Sequence, residues 1–117
     1  MSNLVVLLVD DEFDILDLVG GALEDLGYDV VTARSGSEAL GQLEAGRAFD
    51  YIVTDVSMPG GVSGLDLTRR ARDLQPQARL IVASGHPKAH LDDIPDDVHF
   101  LPKPYRLGQL LEMLEPA

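Results

Sequence analysis

The sequence predicts an α/β protein built on a doubly wound, five-stranded parallel sheet in the order 2-1-3-4-5, with helices on both faces. Short apolar segments alternate with segments whose apolar residues recur at helical spacing, which is typical of strands joined by crossover helices. Leu4 to Val9 is apolar at every position, as expected for a strand covered on both faces. Because such crossovers are right-handed, five strands favour this order.

Start and stop signals delimit the helices and strands. From Phe13 to Leu26, apolar residues lie on one side of a helix and acids on the other, and Gly27 ends it. Ser35, with Glu38 three residues later, begins the second helix. We predict strands at Leu4–Val9, Asp29–Ala33, Phe49–Thr54, Arg79–Ala83 and His99–Leu101, and further helices from Ser35 to about Ala45 before Gly46, from about Leu65 to Leu74 before Pro76, and through Leu107, Leu110, Leu111 and Leu114.

The segment between the fourth and fifth strands is the least regular part of the chain. Two prolines, Pro87 and Pro95, and several acids leave room for only a short helix near Lys88 to Asp92. We therefore expect the fourth helix of the fold to be short or irregular.

Length and charge exclude several classes of protein. The 117 residues suit one domain, spanning 1–117 without an output domain, and the net charge of -11 disfavours direct binding to nucleic acid or to anionic membranes. No cysteine is present, so disulfides and thiolate metal sites are excluded. The early apolar run is too short for a membrane span, and a cytoplasmic location is the default expectation.

Polar residues follow the strands at the points where they end. Asp10 and Asp11 follow the first strand, Asp55 the third, Ser84 the fourth and Lys103 the fifth. Because the carboxyl ends of parallel strands meet at one edge, three carboxylates and one ammonium should lie close together. Such a surplus of negative charge is costly without a cation, and oxygen ligands suit Mg²⁺.

These residues lie in motifs that resemble those of response regulator receiver domains over almost the whole chain. The motifs are VDDE after the first strand, VTDVSMPGG around the third, ASG after the fourth and LPKPY after the fifth. The resemblance implies that the chain is a signalling phosphoacceptor rather than a conventional enzyme. It implies phosphoryl transfer from a phosphohistidine on a sensor histidine kinase or histidine phosphotransfer protein, followed by self-catalysed dephosphorylation and altered contacts with a downstream protein.

The resemblance also assigns roles to individual residues. Asp55 is the implied phosphoacceptor and a metal ligand, Asp11 binds Mg²⁺ directly and Asp10 binds it through water. The backbone carbonyl of Ser57 would be a further ligand. Ser84 and Lys103 would hold the phosphoryl oxygens, with Ser84 also acting in the switch.

Phe100 is the implied switch aromatic, three residues before the lysine, although it lacks the hydroxyl often found there. The family pattern also makes Ser57 and His86 tuners of the phosphoryl lifetime. The MPGGVSG loop is about one residue longer than usual, and the stretch from Ser84 to Lys103 is shorter than usual, so the output surface should be atypical.

Simpler interpretations exist for each residue taken alone. Asp11 could cap the first helix, Asp55 and Ser84 could be turn residues, and Lys103 could be solvated. Phe100 and Tyr105 could serve only in packing. His86 and His90 have the spacing of a helical zinc pair, but no third ligand is evident. The shared position at strand ends favours the functional interpretation.

Two other functions are compatible with this fold class. A flavodoxin-like electron carrier would bind a flavin phosphate at the same edge, but the acids after the first strand would repel it. A small phosphohydrolase with an aspartyl nucleophile needs a substrate pocket, for which the chain offers little material.

Overall fold

The computed structural model describes residues 4–56, 62–85 and 97–114. Its sheet is parallel and has the predicted strand order 2-1-3-4-5. The elements in chain order are β1 Val5–Val9, α1 Phe13–Asp25, β2 Asp29–Ala33, α2 Gly36–Glu44, β3 Tyr51–Asp55, α3 Gly64–Leu74, β4 Arg79–Ser84, β5 His99–Pro102 and α4 Leu107–Leu114.

Two apolar cores lie on opposite faces of the sheet, because successive side chains of a strand point to opposite sides. On β1, Leu7 packs in the core beneath α2 and α3, whereas Leu8 packs in the core beneath α1 and α4. Both side chains are almost completely buried. This arrangement explains why β1 is apolar at every position and leaves the strand ends as the place for polar chemistry.

Glycines end two helices where the sequence predicts that they should. Gly27 has a φ of 99° and Gly46 a φ of 88°, in the left-handed region that a side chain disfavours. Ser35 caps α2, and its hydroxyl accepts a hydrogen bond from the backbone N–H of Glu38. The predicted helix starts and stops are therefore confirmed here.

The third strand begins later than the sequence suggests. Phe49 is buried, but β3 starts only at Tyr51, because the Phe49 N–H donates to the side-chain carbonyl of Gln75 instead of to a neighbouring strand. The Gln75 amide also donates to the carbonyl of Arg47. A long-range side-chain contact thus replaces the strand hydrogen bond expected at Phe49, whereas the backbone of Asp50 already bonds to Val5 and Arg79.

The start of α3 contains a capping box that the sequence analysis placed in a loop. The Ser63 hydroxyl accepts from the Asp66 N–H at 3.1 Å, and the Asp66 carboxylate accepts from the Ser63 N–H. Gly64, the next residue, lies so close to the end of β3 that an added Cβ would overlap the carbonyl oxygen of Asp55. The backbone of α3 therefore closes directly over the end of β3.

The short helix predicted near 88–92 and the first part of the loop after β3 lie outside the described residues. Within the parts of the chain that the structure describes, no helix has both the length and the hydrophobicity needed to cross a bilayer.

We predict that Gly64→Ala destabilises the fold by at least about 2 kcal/mol, because the new methyl group must displace the backbone around Asp55. The matched control is Gly41→Ala in α2, where nothing lies within 4 Å of the new Cβ. That control should stabilise the protein by up to about 1 kcal/mol through helix propensity. Urea unfolding measures both changes, and equal effects of the two substitutions would contradict the predicted close approach.

Candidate functional site

Three carboxylates converge at the carboxyl edge of the sheet. Asp10 follows β1 and is buried, Asp11 beside it is exposed, and Asp55 ends β3 in a half-buried position. One carboxylate oxygen from each residue lies within 4.8 Å of the others. The cluster predicted from the strand ends is confirmed for these three residues.

Asp10 is fixed by hydrogen bonds to both of its oxygens. Its Oδ1 accepts from the backbone N–H of Glu12 at 2.9 Å, and its Oδ2 accepts from Lys103 Nζ at 2.9 Å. Glu12 is the N-cap of α1, and its side chain makes no capping hydrogen bond. The interpretation of Asp11 as the cap of α1 is therefore wrong, because the chain enters the helix one residue later.

Lys103 connects two of the acids across the site. Its ammonium lies 2.9 Å from Asp10 Oδ2 and 3.2 Å from Asp55 Oδ2. Burial would lower the pKa of Lys103, but the hydrogen bonds and charges of Asp10 and Asp55 outweigh burial and raise it. Lys103 is therefore not a solvated surface lysine but a cation held within the site.

Lys103 does not fully compensate the charge of Asp55. Burial raises the pKa of the Asp55 carboxyl above its ordinary value, Lys103 opposes that shift, and the neighbouring Asp10 and Asp11 add to it. The net shift is upward, so the anionic form of Asp55 is disfavoured in the folded protein. Lys103 alone therefore leaves excess negative charge at the site.

Ser84 lies beside this group at the end of β4. It is buried, it is paired with Pro102 in the parallel ladder, and its carbonyl accepts from the Lys103 N–H at 2.7 Å. The ladder also places Ala83 opposite Asp55, so Ser84 is one position beyond the acid. Ser84 is thus a strand residue that anchors Lys103, rather than a turn residue.

Phe100 lies on β5, away from the charged group. It is paired with Val82, a residue of the core beneath α2 and α3, and its side chain is half-buried. Phe100 and Lys103 are three positions apart in the sequence, and β5 ends between them.

Tyr105 has closer links to the site than the sequence indicated. Burial raises the pKa of its phenol, and the charge of Asp10 adds to the shift while Lys103 opposes it. Its ring also packs against the core beneath α1 and α4. Its position two residues after Lys103 is the one signal in the sequence that could have indicated this.

The predicted roles of Ser57 as a carbonyl ligand, of Ser57 and His86 as tuners, and of His86 with His90 as a zinc pair fall outside the described residues. Among the residues described, the donor set at the site is made of carboxylate oxygens. Such a set suits a hard cation such as Mg²⁺ rather than a softer metal. Because the anionic form of Asp55 is disfavoured in the folded chain, a cation bound beside it would stabilise that form.

The chain is similar to known signalling proteins along almost its whole length. It is 31% identical to the response regulator receiver protein CpdR of Brucella abortus over 113 residues, which cover 94% of this chain and 92% of CpdR. It is 42% identical to the sensor kinase CckA of the same organism, over 97% of this chain but only 13% of CckA.

The fold has the same relatives. The response regulator TrrA of Thermotoga maritima, solved in complex with Mg²⁺-BeF, superposes with a TM-score of 0.83 at 28% identity, covering 95% of this chain and 96% of that one. Residues 6–115 match the response regulator receiver domain. The chain therefore belongs to the response regulator receiver domain family, whose members are phosphoacceptors of two-component signalling.

Proposed function

We propose that the chain accepts a phosphoryl group on Asp55, in the presence of Mg²⁺, from a phosphohistidine of a sensor histidine kinase or histidine phosphotransfer protein. The observation that carries this proposal is the Lys103 ammonium, which lies 3.2 Å from Asp55 within a cluster of carboxylates. Membership of the receiver family and the Mg²⁺-BeF complex of TrrA support it.

Asp55 acts as the nucleophile in this proposal. One of its carboxylate oxygens forms a bond to phosphorus while the P–N bond to the donor imidazole breaks and the imidazole departs with the electron pair. A carboxylate is a weak nucleophile, so the transfer depends on positive charge around the phosphoryl oxygens. Lys103 contacts Asp55 before transfer and turns to a phosphoryl oxygen after it, a small movement for an ammonium that already lies between two acids.

The proposed metal ligands differ in their freedom to bind. Asp11 is exposed and suits direct ligation, whereas both oxygens of Asp10 already accept hydrogen bonds, which suits ligation through water. Asp55 and the backbone carbonyl of Ser57 complete the proposed set. Mg²⁺ held there would neutralise charge on the equatorial oxygens of the phosphoryl group.

Ser84 and Phe100 carry the proposed switch. The Ser84 hydroxyl donates to a phosphoryl oxygen only when that group is present, which biases the end of β4 towards one conformation. Phe100, on the adjoining β5, follows that change. The aspartyl phosphate is then hydrolysed within the same site, which limits the lifetime of the phosphorylated state. A downstream protein binds the phosphorylated and unphosphorylated states differently.

We predict that phosphoramidate with Mg²⁺ adds one phosphoryl group to the wild-type chain and none to Asp55→Asn, as measured by intact mass. Asp50→Asn is the matched control, because Asp50 is exposed and lies at the opposite end of β3. The control should be phosphorylated as the wild type is. An undiminished adduct in Asp55→Asn would refute the assignment of the acceptor.

We predict that Mg²⁺ stabilises the folded chain by mass action, because the unfolded chain lacks the cluster. In the saturating range, each tenfold increase in Mg²⁺ should add about 1.4 kcal/mol to the free energy of unfolding. Asp11→Asn should shift this dependence to higher Mg²⁺ concentrations, whereas Asp17→Asn on the exposed side of α1 should not. Urea unfolding at increasing millimolar Mg²⁺ measures the dependence, and a flat response in the wild type would exclude the metal site.

We predict that Asp55→Asn stabilises the metal-free protein by about 1 kcal/mol at neutral pH, since it removes a disfavoured charge. A raised pKa means that the folded state binds the proton more tightly than the unfolded state, so the cost is full above the folded pKa and disappears below the ordinary value of 3.8. The advantage of the variant should therefore shrink as the pH falls towards 4. A constant or growing advantage in acid would contradict this sign.

A further inference from the structure

A groove of about 420 Å³ lies between α1 and β2, at the edge of the sheet opposite β5. Gly20 and Gly21 line it on the helix side, and Val30 and Thr32 line it on the strand side. A Cβ added at Gly20 would lie 3.7 Å from the side chains of Val30 and Thr32, whereas nothing lies within 4 Å of a Cβ added at Gly21. The groove is therefore open because α1 has no side chains at these two positions.

The charged residues that line the groove are mostly acidic. Asp17 and Glu24 of α1 and Glu38 of α2 lie along it. The one basic residue of the lining, Arg34, lies over the ring of Phe13, 5.9 Å from its centroid. Within the described parts of the chain, none of the three carboxylates forms a salt bridge, and they do not converge as ligands of one metal ion. The groove therefore suits an extended cationic occupant rather than a single metal ion.

The outer edge of β2 is open to a further strand. Among the residues that the structure describes, β2 pairs with β1 alone. Asp29 and Ala33 direct their backbone hydrogen bonds towards β1. Because the bonding direction alternates along a strand of a parallel pair, the backbone groups of Val30 and Thr32 point away from β1. An edge of this kind is a template for an added strand.

We propose that the groove and the open edge of β2 together bind an extended, basic segment of a partner protein. A strand added beside β2 would place every second side chain on the α1 face of the sheet, next to Val30 and Thr32. Lysine or arginine at those alternate positions would extend towards the unpaired acids of the groove. Two copies of this chain would not pair through β2, because β2 contains no basic residue and each copy carries a net charge of -11.

The first test compares three synthetic peptides of about six residues, the length of a typical strand. One alternates lysine with threonine, the second has the same composition with its lysines adjacent, and the third alternates glutamate with threonine. In NMR titrations the alternating lysine peptide should bind with a dissociation constant on the order of 1 mM and about fivefold or more tightly than the second, whereas the third should not bind. Equal binding of the two lysine peptides, or no binding, would overturn the proposal.

The backbone amides show where the peptide binds and how. The amides of Val30 and Thr32 should shift and gain protection from hydrogen exchange, because an added strand accepts their hydrogen bonds. Shifts confined to the surroundings of Asp10, Asp55 and Lys103 would mean that the peptide binds at the acidic cluster, which contradicts the proposal. The result does not depend on phosphoryl transfer or on Mg²⁺, so it stands apart from the proposed function.

Methylation of the peptide backbone separates strand addition from binding by charge alone. In an added strand, one alternate set of backbone N–H groups points to β2 and the other set points to solvent. Methylating the nitrogens of one set should therefore abolish binding, whereas methylating the other set should change the affinity less than twofold. Equal effects of the two patterns would exclude strand addition.

Two substitutions test the groove itself. Gly21→Leu places a side chain in the groove and should weaken the alternating lysine peptide at least fivefold, whereas Gly41→Leu in α2 should not, although it is equally free of contacts. Neither should lower the midpoint of urea unfolding, because leucine favours a helix over glycine. Glu24→Gln should weaken the peptide about twofold or more, and Asp25→Asn, which does not line the groove, should weaken it less. Unchanged affinity in both groove variants would contradict the proposal.

Sedimentation velocity tests for a second copy of the chain at this edge. We expect the chain to sediment as a monomer over a range of protein concentrations, with or without the peptide. Dimers that the lysine peptide dissociates would assign the edge to self-association and overturn the assignment to a basic partner.

Discussion

The structure at the carboxyl edge depends on one shared ammonium group. Three carboxylate oxygens within 4.8 Å of one another repel by roughly 3.5 kcal/mol or more per pair at an effective dielectric constant of about 20. The two contacts of Lys103, at 2.9 and 3.2 Å, contribute an attraction of roughly 5 kcal/mol each at the same dielectric constant. Repulsion and attraction thus nearly cancel, and the cost of burial decides the balance against the charge on Asp55.

Backbone hydrogen bonds fix the main chain on either side of these charges, so main-chain movement cannot relieve the repulsion. The Asp10 N–H donates to Ala33, and the Lys103 N–H donates to Ser84, which ties the ends of β1 and β5 to their neighbours. At β3 the N–H of Gly64 donates to Val56, which closes the start of α3 over the strand. The site is consequently preorganised by the hydrogen bonds of the sheet and by the start of α3. The favourable free energy of folding of the whole chain offsets its electrostatic cost.

Periodicity and topology were sufficient to predict the strand order and the meeting of Asp10, Asp11, Asp55 and Lys103. Strands that are buried on both faces are recognisable as continuous apolar segments, and a parallel sheet brings all of its carboxyl ends to one edge. Contacts between residues distant in sequence were not predictable in this way. Gln75 displaces the start of β3 through a bond to Phe49, and Tyr105 approaches the acids only because of the path that the chain takes after β5. These contacts depend on three-dimensional packing rather than on local residue preference.

β5 differs from the other strands that end at the site in how the sheet holds it. β5 has four residues and lies at the edge of the sheet, and in the described part of the chain it pairs with β4 alone, through residues 81–84. Its end is joined to Ser84 by the Lys103 N–H, and its middle carries Phe100 on the opposite face from Leu101. A strand held on one side moves at lower cost than a central strand held on two. Of the strands that end at the site, β5 is therefore the one that the sheet restrains least, whereas β1 and β3, which lead into the acids, are paired on both sides.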